Sequence, residues 1–200
     1  MHGLFIDMLD KFQAQHPEYD LEYKCLPRAR IGKILAAGKA DAFALSSPMF
    51  LCDEINSKYR NSLPLWTVGD YLLVRKNSPL TKSDLLSLTG RTIAVLHGNS
   101  YGPLDEYFKK GQLNRHAVYS TSQMLELLLK KRVDAAICNK STLPGLVKRS
   151  GHLMNEFKML DKPLYTFKLQ LMVNREKSGF LHDFNEFIKN TPLPDLQEGG

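Results

Sequence analysis

The chain has 200 residues, 43% of them apolar and 24% charged, with a formal charge of +6 and a pI near 9.2. That is enough apolar material for one large domain or two small lobes with cores of their own, and it excludes a disordered or fibrous chain. No apolar run reaches the roughly 18 residues of a membrane-spanning helix, and Asp7 and Asp10 interrupt the start where a signal peptide needs an apolar stretch.

The elements follow in order. Leu4, Phe5, Met8, Leu9 and Phe12 share one helical face, and His16-Pro17 ends that run. Residues 20–26 alternate Leu21, Tyr23 and Cys25 with Glu22 and Lys24, the period of a half-buried strand. A helix over 29–37 with Gly38 as its C-cap leads to the strand DAFALSS at 41–47. An irregular polar stretch, 48–62, precedes a long extended segment rich in aromatic and branched residues, and a linker with a short helix follows it. The pattern then restarts: strand RTIAVL, loop HGNSYG, a helix opened by Pro103, strand RHAVYS, and a helix capped by Thr121 or Ser122 that delivers the chain to VDAAICNK. A short helix, FKML, a second long extended segment near 164–176 and a terminal helix complete the chain.

Two phrases stand at the same place in the two halves, GKADAFALSS at 38–47 and KRVDAAICNK at 131–140. Asp134 lies 93 positions after Asp41, and each follows an amphipathic helix and opens a strand. Helices alternating with strands over short connections predict βαβ units and an α/β fold with mixed, mostly parallel sheets. The two long extended segments bracket the second unit and read as strands crossing between lobes. This gives a first lobe of residues 1–76 plus 168–200 and a second of 77–167. The scattered Lys and Arg residues read as a solvated basic surface, with no nucleic-acid partner expected. Cys25, Cys52 and Cys138 have none of the short paired spacings of a zinc or redox site, so no metal and no cofactor are expected.

In this order the residues resemble the type II periplasmic solute-binding proteins, in particular the family-3 group of amino-acid ABC transporter substrate-binding proteins. GLFIDML resembles that family's opening helix, LPRARIGKILAAGKADAF its strand-to-helix segment, and YLLVRKNSPLTKSDLLSLTGRTIAVLHGNSYG its hinge and second-lobe entry. LELLLKKRVDAAICN and LMVNREKSGFLHDFNEFI continue the match. The resemblance implies a two-lobed fold with two crossover hinge strands. Family members begin with a strand and loop before the first helix, so the first strand of lobe 1 is expected to be missing and the chain to be a shortened form of a longer protein.

Ligands of open α/β sheets bind outside the carboxyl ends of strands. The candidates are therefore Ser46, Ser47 and Met49 in the first lobe, His97, Gly98, Asn99, Ser100, Tyr101 and Asn139 in the second, with Trp66 and Tyr71 near the first crossing as walls. The turn HGNSYG precedes a helix, where free N–H groups and the helix dipole favour an anion, and the resemblance implies that Gly98 to Ser100 contact a ligand carboxylate. Arg30, after Pro27, either donates to an anion or pairs at the surface. The family's carboxylate-binding arginine is absent where Met49 and Phe50 stand, and its ammonium-binding aspartate is replaced by Asn139. A neutral amide offers no charge to a desolvated ammonium, so a standard α-amino acid is disfavoured as ligand.

The resemblance implies a non-enzymatic, periplasmic solute-binding protein that closes on a small polar or anionic solute for uptake or sensing, with an ABC transporter permease as partner. Two other readings stay open. One is the ligand-sensing domain of a receptor or regulator; the other is a dehydratase-like enzyme on the same fold, with His97 as acid or base and Asp53 and Glu54 as its partners.

Overall fold

A computed structural model describes residues 3–26 and 28–196, without the side chains of Arg28, Ala29 and Leu85. The chain forms two compact units, one of residues up to Thr67 together with those from Lys168 onward, the other of Val68–Phe167. Both boundaries fall inside long strands, β3 (Trp66–Arg75) and β8 (Tyr165–Asn174).

In the first unit, α1 (Leu4–Gln15) buries Phe5, Met8, Leu9 and Phe12, the stripe its sequence predicts. Its last turn closes where the His16 N–H bonds to the Phe12 carbonyl at 3.0 Å, immediately before Pro17. Phe12 is fully buried and meets Phe180, Phe184 and Phe187 of the C-terminal helix α8 (Ser178–Asn190) edge-on at 5.4 to 5.5 Å between ring centres. The strand β8 divides its side chains by the period of two: Leu171 and Val173 face this aromatic cluster, and Met172 faces a second one with Leu35, Ile55 and Tyr59. The second cluster is built by α2 (Arg28–Ala36), α3 (Asp53–Lys58) and β2 (Tyr59–Asn61).

The expected strand at 20–26 is not one. Its alternation is real, since Leu21 and Tyr23 are half-buried against the first cluster, but it joins no ladder among the described residues. Side-chain period fixes which residues face inward; a strand also requires a neighbour to accept its backbone hydrogen bonds. Among the described residues β1 (Ala42–Ser46) pairs only with β8, antiparallel, and carries a register shift between Phe43 and Ser46. At that irregularity Leu45 adopts a φ of 51°, a left-handed conformation rarely taken by a branched residue.

In the second unit the strand order is β3, β6 (Ala135–Asn139), β4 (Thr92–Leu96), β5 (Asn114–Val118). β4 is parallel to both β5 and β6, while β3 is antiparallel to β6 and to β7 (Phe157–Met159). The pairings are thus mixed, with the parallel ladders centred on β4 and the antiparallel ones contributed by the long strand that enters the unit. One sheet face packs Leu73, Ala94 and Ala136 against α6 (Thr121–Leu129) and α7 (Leu143–Arg149). The other packs Leu72, Val74, Ile93, Val95 and Ile137 against α5 (Pro103–Lys109) and Leu88 of α4 (Leu85–Leu88).

The cap of α6 is Ser120, one residue before the expected Thr121. Its Oγ accepts from the Gln123 N–H at 3.1 Å, and Gln123 Oε1 accepts from the Tyr119 N–H, so each side chain satisfies a backbone donor of the other's neighbourhood. Ser120→Ala is expected to lower stability by about 1 kcal/mol, read as a shift in urea midpoint at unchanged slope.

The repeated phrases are one structural unit used twice. The Gly38 N–H bonds to the Leu35 carbonyl and Lys39 N–H to Ile34; Lys131 N–H bonds to Leu128 and Arg132 N–H to Leu127, each pair 93 residues from its counterpart. The following strands, Ala42–Ser46 and Ala135–Asn139, also correspond residue by residue. Asp134 serves the turn: it accepts from the Thr92 N–H at 2.8 Å and from Arg91 at 3.2 Å, fixing the start of β4.

Candidate functional site

Because β4, β5 and β6 are parallel, their carboxyl ends share one edge of the second unit's sheet. Asp70 stands opposite Asn139 in the antiparallel β3–β6 ladder and so lies at that same edge. The edge therefore gathers His97, the 98–102 turn, Tyr119, Asn139 and Asp70.

Asp70 is the residue that sequence reasoning missed. It is half-buried, and burial pushes its carboxyl above the usual range, opposed by hydrogen bonds from Tyr165 and Asn139. The Tyr165 hydroxyl donates to Oδ2 at 2.9 Å, and burial followed by the nearby Asp70 charge pushes that hydroxyl far up. Both partners of Asp70 are neutral, and no ion pair to it forms among the described residues. A desolvated carboxylate held only by neutral donors is poised for a cationic group. The signal was an Asp inside the apolar run WTVGDYLLV, where a polar residue needs a reason.

Asn139 positions this edge. Its Nδ2 donates to the Gly69 carbonyl at 3.1 Å while its Oδ1 accepts from the Ser141 N–H and hydroxyl at 3.1 and 2.6 Å. An amide supplies both the donor and the acceptor that this turn requires; a carboxylate supplies only acceptors. Beneath it, burial pushes the Cys138 thiol up to about 12, so this cysteine behaves as a small apolar side chain.

The 97–102 turn is locked from within. Asp105 Oδ2 accepts from the Ser100 hydroxyl at 2.6 Å and the Tyr101 N–H at 2.9 Å, while Oδ1 faces Arg115 at 3.3 Å. Arg115 also donates to the Asn99 carbonyl at 2.8 Å and lies over the rings of Tyr101 and Phe108. The Tyr101 hydroxyl accepts from the Leu96 N–H, and the residue is buried. Of the Gly98 to Ser100 donors expected to meet a solute carboxylate, the Ser100 hydroxyl is thus engaged by a carboxylate of the chain itself, as is the neighbouring Tyr101 N–H. Gly98 and His97 are exposed, and the His97 ring stacks on Tyr119 at 4.9 Å between centres. Tyr119 is 81% exposed, an aromatic surface at the end of β5 that the sequence reading passed over as a strand residue.

Tyr71, next to Asp70, is half-buried opposite Cys138. In the first unit, Ser46 and Ser47 are buried, and the Ser46 hydroxyl has no hydrogen-bond partner among the described residues. Met49 is 38% exposed in the turn Pro48–Phe50, and Arg30 is exposed on α2. Trp66 packs against the α1–α8 cluster and donates its indole N–H to the Pro194 carbonyl at 2.8 Å, which ties it to the first unit's own core. Asp53 and Glu54 open α3, with Glu54 3.3 Å from Lys58. One metal-compatible group exists among the described residues, His16, Glu18 and Asp183, whose ligand atoms lie within 4.8 Å of one another. Asp183 there accepts from the Tyr19 hydroxyl at 2.6 Å, which with burial raises that hydroxyl to about 12. This network ties α8 to the segment after α1.

No protein-family model matches the chain, and no curated protein does. Solved structures match it in fold. The P235GK mutant of ArgBP from T. maritima covers 94% of this chain and 79% of its own with a TM-score of 0.73 at 19% identity. The substrate-binding protein of an amino-acid ABC transporter covers 94% and 80% with a TM-score of 0.71 at 22% identity. An ancestral arginine-binding protein bound to arginine covers 94% and 81% with a TM-score of 0.72 at 21% identity. The chain therefore has the mixed α/β, two-lobed fold of periplasmic binding proteins, a fold that does not by itself fix a function.

Proposed function

We propose that the chain is an extracytoplasmic solute-binding protein, without catalytic activity, that captures a small polar solute for ABC-type uptake or sensing. The observation that carries this reading is Asp70, a desolvated carboxylate with only neutral partners at the carboxyl edge of the second unit's sheet, in a fold shared with substrate-binding proteins. Asp70 favours a solute with a protonated nitrogen. His97 and Tyr119 act as a stacking wall, and Asn139, Ser100 and Tyr101 hold the edge in shape. On the first unit, Ser46, Ser47, Met49 and Arg30 are that unit's own candidate solute contacts, of which Met49 and Arg30 are exposed. An ABC permease is the partner that would receive the solute. Asp105 takes up two donors of the 98–102 turn, the Ser100 hydroxyl and the Tyr101 N–H, so an anionic solute at this turn would rely on the exposed Gly98 end.

Calorimetry with a panel of amines, amino acids, carboxylates and sugars tests this reading, together with solution scattering on any solute that binds. One chemical class should bind saturably and reduce the radius of gyration. Absence of heat with every class contradicts the proposal.

A further inference from the structure

A cavity of about 580 Å³ lies in the second unit at the far end of β3, away from the Asp70 edge. Arg75, Lys76 and Lys131 line it with Asn77, Asn155 and Glu156. Three cations face one carboxylate, and that carboxylate is engaged, accepting from the Leu153 N–H at 2.8 Å and lying 3.6 Å from His152. The positive excess is close to the charge of one phosphate dianion.

Two further observations single this cavity out. Arg75 Nε is buried and has no hydrogen-bond partner among the described residues. A buried guanidinium donor left unsatisfied is costly, and no acceptor of the described residues holds this guanidinium at that atom. Lys131 adopts a φ of 57° just past the end of α6. Its counterpart in the other copy of the repeat is Gly38, at φ 66°, with the same pair of closing hydrogen bonds. Glycine takes this conformation without strain and lysine does not. The second copy thus holds a strained lysine where the first uses glycine, and the lysine lines a cavity with two more cations.

We propose that this cavity is a second binding site, separate from the Asp70 edge, for a small phosphate-class anion held by Arg75, Lys76 and Lys131. Arg75 offers a planar fork of donors to the phosphate oxygens, and the two lysines add mobile point charges. The two asparagines at its wall supply neutral donors. The same chemistry fits a free phosphate or the headgroup of an anionic lipid.

The test uses the full chain at constant ionic strength, adding inorganic phosphate, glucose 6-phosphate or vesicles of phosphatidylglycerol, with chloride as control. Saturable binding of one soluble phosphate per chain assigns the site to a free anion; binding of vesicles alone assigns it to a headgroup. In either case Lys131→Gly should weaken binding about tenfold, the loss expected for one charge-assisted contact. Relief of the left-handed strain should at the same time raise the unliganded midpoint of unfolding by about 2 °C. Arg75→Gln should weaken binding at least as much. No response to any phosphate beyond that to chloride overturns the proposal. So does binding unchanged in both variants, or a Lys131→Gly chain less stable than the parent, since Lys131 would then serve the fold.

Discussion

Asn139→Asp is expected to lower stability by about 2–4 kcal/mol at pH 7, near the loss seen when a buried polar network is broken. The substitution removes the donor that the Gly69 carbonyl accepts from at 3.1 Å. It also sets a second carboxylate against Asp70, whose carboxyl is already raised by burial. Two carboxylates sharing one site cannot both ionise without mutual repulsion, so one is driven further up. The sign of the pH effect follows. Each raised carboxyl binds its proton more tightly in the folded than in the unfolded chain, so stability falls as pH rises through its folded value. The deficit of the variant should therefore be largest at neutral pH and shrink on acidification, when one carboxyl becomes a donor. Urea unfolding of both proteins at pH 7 and near pH 4 checks this. An equal deficit at both values would mean that the lost donor, not the added charge, dominates.

Phe12→Ala is expected to cost about 3–5 kcal/mol, the range for truncating a fully buried aromatic side chain. Phe12 is completely shielded from solvent and contacts three rings of α8 edge-on, while Tyr19 stacks on its other side at 5.8 Å. These contacts join the first helix to the last, so the cavity would loosen α8 from the first unit. Hydrogen exchange should rise at the α8 amides and remain slow in β4 and β6. Unchanged α8 protection would place the stabilising contacts of that helix elsewhere.

Most helices were legible because their signal is local; α3 (Asp53–Lys58), only six residues long within the stretch 48–62 expected to be irregular, was not. The stripes of α1 and α6 sit within a dozen residues of sequence, and Gly38 announces the end of α2 by its own backbone freedom. The repeat marked by Asp41 and Asp134 was equally readable, and the two copies share the hydrogen bonds that close the helix before each aspartate. The segment at 20–26 shows what periodicity leaves out: it turns Leu21 and Tyr23 inward but takes part in no ladder, which depends on a second segment. The cap at Ser120 was missed by one residue because Ser120, Thr121 and Ser122 are chemically interchangeable in sequence. Backbone geometry selects among them.

The candidate edge was legible in the sequence; the bonds its residues make were not. Parallel strand order places His97 and Asn139 at one edge from sequence alone. Those bonds depend on pairings between distant residues. Asp105 takes the donors of Ser100 and Tyr101, Arg115 braces Asp105, and Asp70 reaches Asn139 across a ladder whose register spans 69 residues, from position 70 to 139. The substitution of asparagine for aspartate at 139 looked like the loss of a charge. The ladder restores a carboxylate at the same edge from the neighbouring strand.

Paired calorimetric titration of the parent chain and Asp70→Asn, with the best solute from the panel, tests the central claim most directly. Asn keeps the shape at Asp70 and an oxygen for the Tyr165 hydroxyl but removes the charge. The parent should bind a solute with a protonated nitrogen about 10 to 100 times more tightly than the variant, the loss of one desolvated charge pair. Its affinity should also fall on acidification as Asp70 takes up its proton above the ordinary carboxylate value. Equal affinity of the two proteins, or a best solute without a cationic nitrogen, would contradict the account.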